Sequence, residues 1–169
     1  MENAKKQINQ IDPFKQKNYT IETLDDEIRV DQLSQRLLKQ YHQYLLDINT
    51  SPLESGSMAG GADFFLRHFM IDNRRTNIFE ISPELIHAFA GNWYIVNTLE
   101  PNMVELESFL VGIAGFYDFC AEKKIIDPVM AEKIGLACTR CDFYRQRIES
   151  FNDLCGDGFT SWNSNCPLE

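Results

Sequence analysis

The stretch LESFLVGIAGFYDFC, residues 106–120, decides the fold because its apolar residues cover a wide face of a helix. The apolar positions recur at intervals of one and three: Leu106, Phe109, Leu110, Ile113, Phe116, Tyr117 and Cys120. A helix with so wide an apolar face is surrounded by other helices, so this stretch predicts the central helix of a bundle. Gly112 and Gly115 lack side chains, and we expect a neighbouring helix to approach closely there.

Four further helices are predicted around this centre from apolar stripes at helical spacing. The stripes span residues 30–48, 58–69, 85–96 and 130–151, and no segment of convincing length alternates as a strand does. Asp25 or Asp26 is expected to cap the first helix, whereas Ser82-Pro83 and Asp127-Pro128 mark the starts of the third and the fifth. The sequence therefore predicts an all-α bundle of about five helices with a long C-terminal helix.

The chain divides into an arm, a helical domain and a C-terminal extension. Residues 1–27 are polar without a sustained period, and they are predicted to form a flexible N-terminal arm or an extended segment lying on the core. Residues 28–127 form the helical domain. Residues 128–169 supply the C-terminal helix and a tail packed on the same domain, with Phe159 and Trp162 folding back onto the bundle.

The balance of charge bears on the kind of partner. The 169 residues include 16 lysines and arginines and 25 aspartates and glutamates, a net charge of −9. Binding to nucleic acid usually needs a basic surplus to neutralise phosphates, so this balance disfavours it. Arg140 and Arg147, seven positions apart, are expected on a solvated face of the fifth helix.

The apolar and cysteine content bears on the compartment. No run approaches 18 apolar residues, so no membrane span is predicted, and the first residues lack the apolar segment of a secretory signal. Five cysteines, an odd number, fit a reducing compartment better than a disulfide framework. We therefore expect a cytoplasmic protein.

Residues 41–127 also carry a series of helix-end and helix-start motifs. They are Tyr44-Leu45, Ser51-Pro52, Phe65 to Phe69, Ile81-Ser82-Pro83 with Ala88-Phe89, Phe116-Tyr117 and Ile126-Asp127-Pro128. In this order the region resembles the core-binding, SAM-like helical domain at the N-terminal side of phage-integrase-type tyrosine recombinases. That resemblance implies a SAM-like bundle as the centre of the fold.

The same resemblance implies contacts with DNA, which that family makes partly through basic residues of the second and fourth helices. The corresponding candidates here are Arg67, Arg74, Arg75, Lys123 and Lys124. The fourth helix departs from the pattern because it carries Glu105, Glu107, Asp118 and Glu122 before any lysine. The residues after Ile126 are too few for the family's catalytic domain, which carries a nucleophilic tyrosine and an Arg/His/Arg constellation, so no enzymatic activity is predicted. The resemblance supports the fold better than it supports DNA binding.

The cysteines offer one candidate metal or redox site. Cys138 and Cys141 have Cys-x-x-Cys spacing, and Cys166 joins them if the tail folds back. Cys155 lies 14 positions beyond Cys141 on the predicted fifth helix, about 21 Å away, and cannot share a metal with it. Burial in the core is the commoner state of such cysteines, so no cofactor is predicted.

These observations predict a non-catalytic helical binding or adaptor module whose partner is a protein. The regular apolar seam of the fifth helix docks onto the bundle by default, or pairs with a second copy of the chain as a homodimer. A DNA-binding accessory protein is the first alternative. A thiol- or metal-dependent enzyme that uses Cys138 and Cys141 is the second.

Overall fold

The computed structural model describes residues 10–168, which contain seven helices and no strand. Helix α1 covers Leu24–Asp47, and α2 covers Pro52–Asp63 and continues as a π-helix over Phe64–Asn73. Helix α3 has three consecutive parts: an α-helical part at Pro83–Ala88, a π-helical stretch at Phe89–Trp93 and a last α-helical turn at Tyr94–Asn97. The remaining helices are α4 at Met103–Glu122, α5 at Pro128–Cys138, α6 at Cys141–Asn152 and α7 at Phe159–Ser164. The predicted all-α class is confirmed, but this part of the chain has seven helices rather than about five. None of the helices described is both long enough and apolar enough to cross a membrane.

Helix α4 is the centre of the bundle, as its sequence predicts. Helices α2 and α5 both pack along it, and its wide apolar face is buried. A Cβ built on Gly112 would overlap the carbonyl oxygen of Met58 in α2, and one built on Gly61 would lie 2.8 Å from the Cα of Phe109. The predicted close approach at Gly112 is thus confirmed, because the two backbones cross where neither helix carries a side chain.

The start of α1 lies earlier than its apolar stripe suggests. The helix begins at Leu24, so the prediction that Asp25 or Asp26 is its N-cap is wrong. Thr23 is the cap: its hydroxyl accepts a hydrogen bond from the Asp26 N–H at 3.2 Å, and the Asp26 carboxylate accepts one from the Thr23 N–H at 3.0 Å. This reciprocal capping box satisfies two backbone donors. Hydrogen bonds from Arg29 and Thr23 hold the pKa of Asp26 well below its ordinary value.

The predicted long helix over residues 128–151 is wrong, because it breaks at Thr139 and Arg140 into α5 and α6. The Thr139 hydroxyl donates to the carbonyl of Leu136 at 2.8 Å, and such a side-chain bond competes with the helical ladder. The buried hydroxyl of Tyr144 donates to the carbonyl of Ala137 at 2.8 Å, which satisfies an acceptor at the end of α5. Both halves pack on α3 and α4.

The N-terminal segment lies on the bundle over the residues that the structure describes. A 3₁₀ turn at Gln16–Tyr19 buries the ring of Tyr19 completely, and the Tyr19 hydroxyl donates to the carbonyl of Pro13 at 2.8 Å. The Asn77 amide donates to the carbonyl of Gln16 at 3.0 Å, and Arg36 donates to the carbonyl of Ile11 at 2.8 Å. The predicted arm thus contacts the bundle at several points between residues 11 and 21, while most of the residues between those points are exposed. Residues 1–9, like residue 169, lie outside the described part of the chain.

Candidate functional site

The outer face of α4 carries two exposed valines although it points away from the core. Val104 and Val111, seven positions apart, are 84% and 54% exposed. Between them, the Ser108 hydroxyl lies 2.9 Å from the hydroxyl of Ser57 in α2. We call Val104, Ser108 and Val111 the α4 outer face. Single exposed valines are common on protein surfaces, so the significance of this pair depends on its surroundings.

A groove lies beside Val111, between α4 and the joint of α5 with α6, and we call it the α4–α6 groove. Its volume is about 270 Å³. Its lining is mostly apolar and consists of Leu110, Val111, Ala114, Gly135, Cys138 and Cys141, with Glu107 and Thr139. Pockets for small-molecule ligands typically occupy about 300–1,000 Å³. This groove is therefore small for a substrate or a cofactor, but suited to an apolar side chain of a partner.

The break between α5 and α6 shapes the groove. Because the chain turns at residues 139–140, Cys138 ends α5 in a buried position and Cys141 begins α6 in a half-buried one. Gly135 leaves the wall open, since a Cβ at this position would meet no atom within 4 Å. Glu107 forms an ion pair with Arg145 at 3.4 Å, and both side chains are about half exposed. The apolar floor of the groove thus has a charged pair at its edge.

The two thiols of the groove are in the protonated form, which is neither a strong nucleophile nor a metal ligand. Burial raises the pKa of Cys138 to about 12, and it also raises the pKa of Cys141 above the ordinary value. Both thiols are therefore protonated at neutral pH, whereas nucleophiles and metal ligands are thiolates. In this state Cys138 and Cys141 contribute apolar surface to the groove.

The predicted metal site at Cys138, Cys141 and Cys166 does not assemble. The Cys166 thiol lies instead against α3, where it donates to the carbonyl of His87 at 3.4 Å. Across residues 10–168, no three His, Cys, Asp or Glu side chains are placed so that they could hold a metal ion. The reason is that the tail folds onto α3 and α6 and leaves the α5–α6 joint uncovered.

Two of the five residues predicted to contact DNA are held by carboxylates. The Nε of Arg67 lies 2.6 Å from Asp31 Oδ1, and its Nη1 lies 3.4 Å from Asp63 Oδ1. The hydrogen bond to Asp31 is the main reason that the pKa of Arg67 is raised. The Nε of Arg75 lies 3.2 Å from Glu27 Oε2. Acids of α1 and α2 thus balance positive charge at positions where the resemblance implies contacts with phosphates.

The other three basic candidates have separate surroundings. Arg74 Nη1 donates to the carbonyl of Leu168 at 2.6 Å. Lys123 Nζ lies 5.7 Å from the ring centroid of Phe119, and Lys124 follows α4 with a φ of 59°. Together with the ion pairs of Arg67 and Arg75, these placements do not produce a surface of uniform positive charge.

Sequence reasoning missed the α4 outer face and the position of Arg147. The signal for the face was that Val104 and Val111 fall outside the stripe that predicts burial, seven positions apart on one side of the helix. Arg147, which its spacing from Arg140 places on a solvated face, is only 6% exposed, so that prediction is wrong. Its guanidinium lies between α3 and the tail, and no local pattern in α6 indicates this.

No protein-family model, curated protein or solved structure matches this chain. Its function is therefore inferred from the geometry described above.

Proposed function

We propose that this chain is a non-catalytic helical module that binds a protein partner through the α4 outer face and the α4–α6 groove. The observation that carries the proposal is the position of Val104 and Val111, two exposed valines of one helix, the second of which lines a small apolar groove. In interfaces between proteins, a few apolar anchors that become buried contribute most of the binding free energy, and a polar rim surrounds them. The groove receives one such anchor, while Glu107 and Arg145 lie in the rim.

The reactive groups of the groove support binding rather than catalysis. Its two thiols are protonated at neutral pH because burial raises their pKa values. Its acid, Glu107, is engaged by Arg145 at 3.4 Å. A nucleophile needs an adjacent base or a lowered pKa. Burial raises the pKa of both thiols, and the carboxylate that lines the groove is engaged in an ion pair.

We also propose a SAM-like, core-binding-like centre for the fold and the cytoplasm as the compartment. Ser51-Pro52, Ser82-Pro83 and Asp127-Pro128 each stand at the start of a helix, in the order that the recombinase resemblance requires, which supports the first point. All five cysteines are free thiols, which supports a reducing compartment.

Photo-crosslinking from the α4 outer face tests the proposed binding site. With a photoreactive amino acid in place of Val111, we expect a crosslinked product with a partner protein in cells that produce the chain, identified by mass spectrometry. Val129 of α5 is the matched control, because it is 57% exposed against 54% for Val111 and does not line the groove. The control position is expected to give no such product.

A second substitution links the crosslinked product to the α4 outer face. Val104→Asp is expected to reduce the yield from position 111 about tenfold, as for loss of a strong interface contact. It should leave urea unfolding unchanged, since Val104 is 84% exposed. Equal yields from positions 111 and 129, or a product that survives Val104→Asp, would contradict the proposal. The same product from purified protein alone would identify the partner as a second copy of the chain.

DNA is the alternative ligand, and the ion pairs of its candidate residues lead to a separate prediction. We expect no binding to labelled random duplex DNA at about 50 mM or about 200 mM salt, conditions between which phosphate contacts weaken strongly. The variant with Asp31→Asn and Asp63→Asn removes both negative charges beside Arg67 and shows whether they mask a DNA site. If the unchanged chain binds DNA and its affinity falls steeply with salt, the ligand of this chain would be DNA rather than a protein.

A further inference from the structure

The C-terminal residues 159–168, which we call the strap, lie across α3 and α6. Trp162 of α7 is the most deeply inserted side chain of the strap, at 4% exposure, and Cys166 follows at 7%. The connection before the strap, residues 153–158, is mostly exposed, and Gly156 within it has a φ of +59°. A short, anchored segment thus follows an exposed turn that only glycine adopts without strain.

Three side chains of the bundle donate to main-chain carbonyls of the strap. Arg147 Nη1 donates to the carbonyl of Trp162 at 2.8 Å, and Asn92 Nδ2 donates to that of Cys166 at 2.7 Å. Arg74 Nη1 donates to the carbonyl of Leu168 at 2.6 Å. Main-chain hydrogen bonds provide affinity and side-chain pockets provide specificity where extended peptides bind at a sheet edge, and the strap combines the same two kinds of contact.

The side-chain pocket is the site of Trp162. The guanidinium carbon of Arg147 lies 3.7 Å from the centroid of the indole, a cation–π contact, and the ring centroid of Phe151 lies 5.0 Å away. The indole Nε1 donates to the carbonyl of Arg147 at 3.2 Å and to the hydroxyl of Ser150 at 3.1 Å. The indole of Trp162 thus contacts an aromatic ring and a guanidinium of α6, and its N–H group has acceptors there.

The floor of this site is the π-helical stretch of α3. A Cβ on Gly91 would lie 2.9 Å from the sulfur of Cys166, so only glycine lets the strap approach this closely. The carbonyl of Gly91 accepts a hydrogen bond from Arg147 Nε at 2.8 Å, which fixes the guanidinium beneath the strap. Stretches of π-helix often occur at functional sites.

The closed strap leaves one strong donor of the bundle unused. Arg147 Nη2 is buried without a hydrogen-bond partner, and no carboxylate pairs with this guanidinium among residues 10–168. A buried donor without a hydrogen-bond partner destabilises the closed state. When the strap opens, water can hydrogen-bond to this donor and the penalty is removed. Local opening of terminal segments commonly requires less free energy than global unfolding.

We infer that α3, α6 and Arg74 form a peptide-binding cleft, and that the strap is its ligand, held in cis and displaceable by the same peptide added in trans. The recognised chemistry is a segment whose tryptophan anchor lies in a short helix and whose main-chain carbonyls four and six residues beyond the anchor accept hydrogen bonds from the cleft. This cleft is distinct from the α4–α6 groove, so a negative result for the peptide cleft leaves the proposed partner site on α4 unaffected, and the reverse also holds.

Cysteine labelling measures whether the strap opens on its own. Cys155 is exposed, Cys166 belongs to the strap and is buried against α3, and Cys120 is fully buried in the core. In the full chain, we expect Cys166 to react at a rate between those of Cys155 and Cys120, as for a local opening. Trp162→Ala should raise the rate at Cys166 at least about tenfold and leave that at Cys120 unchanged. Equal rates at Cys166 and Cys120 would overturn the inference, because the strap would then open only on global unfolding.

A synthetic peptide tests whether the uncovered surface binds. The probe is the strap sequence with its cysteine replaced by serine, FTSWNSNSPL, and the control is the same peptide with alanine for tryptophan. We expect the probe to bind the Trp162→Ala chain at least about tenfold more tightly than the unchanged chain, where the strap competes at high effective concentration. The control peptide should not bind either chain. A folded Trp162→Ala chain with rapid Cys166 labelling and no binding of the probe would overturn the inference.

The unchanged chain provides a measurement that does not depend on folding of the variant. Saturating probe should accelerate the labelling of Cys166 while the rate at Cys120 stays constant, because the peptide occupies the cleft whenever the strap opens. The alanine control peptide should have no effect. Acceleration by both peptides, or by neither, would show that the cleft does not recognise the strap.

Discussion

Gly112→Ala is expected to lower the free energy of unfolding by about 3 kcal/mol, the upper range for an added methyl group in a packed core. The new Cβ would overlap the carbonyl oxygen of Met58 and lie 3.1 Å from the backbone nitrogen of Ala62. Both are backbone atoms of α2, so no side-chain rotation relieves the overlap and the helices must separate. Urea unfolding followed by circular dichroism measures the loss.

Gly60→Ala is the matched control for this prediction. Gly60 lies in α2, next to the Gly61 that faces α4, yet a Cβ on Gly60 would meet no atom within 4 Å. Alanine has the higher helix propensity, so we expect this variant to gain up to about 1 kcal/mol. Similar free energies of unfolding for Gly112→Ala and Gly60→Ala would show that α2 moves away from α4 without cost.

The centre of the fold could be predicted because its determinants lie within one segment. The apolar stripe of residues 106–120 gives the buried face of α4 directly, and Gly112 marks the crossing with α2. Gly115 instead makes room for side chains, the nearest of which is Tyr41 of α1. Such local patterns are sufficient wherever one helix decides its own burial. The all-α class is confirmed for the same reason.

The break between α5 and α6 could not be predicted from the apolar pattern. The stripe from Met130 to Phe151 keeps a spacing of three and four throughout, so periodicity indicates one helix. What ends α5 is the hydroxyl of Thr139 on the carbonyl of Leu136, together with the Tyr144 hydroxyl on the end of the helix. These are hydrogen bonds of the folded state, and a threonine within a helix gives no sign of them.

The candidate site depends on contacts between residues far apart in sequence. Arg67 meets Asp31 from another helix, and Arg75 meets Glu27 in the same way, so the neutralisation of both is invisible in the local sequence. The α4–α6 groove exists because α5 and α6 meet at an angle that the pattern does not specify. Arg147 is buried because the strap covers it.

Phe89→Ala is expected to lower the free energy of unfolding by about 3–5 kcal/mol, the usual cost of truncating a buried phenylalanine. Phe89 is fully buried at the start of the π-helical stretch of α3. Its ring centroid lies 5.0 Å from that of Phe65, 5.5 Å from that of Phe69 and 6.0 Å from that of Trp93. It therefore joins the π-helical parts of α2 and α3, and alanine leaves a cavity between them. Urea unfolding with tryptophan fluorescence reports the change beside Trp93.

Phe89→Leu separates the loss of volume from the loss of the aromatic contacts. Leucine fills most of the cavity, so we expect it to cost about 1.5 kcal/mol, part of which is the aromatic contribution beyond buried area. The strap provides an internal check, because Gly91 lies two positions after Phe89 in the same π-helical stretch. If Phe89→Ala acts through the core, the labelling rate of Cys120 should rise because it needs global unfolding, whereas that of Cys166, which opens locally, should stay nearly constant. A rise at Cys166 alone would instead place Phe89 in the support of the strap and limit its effect on global stability.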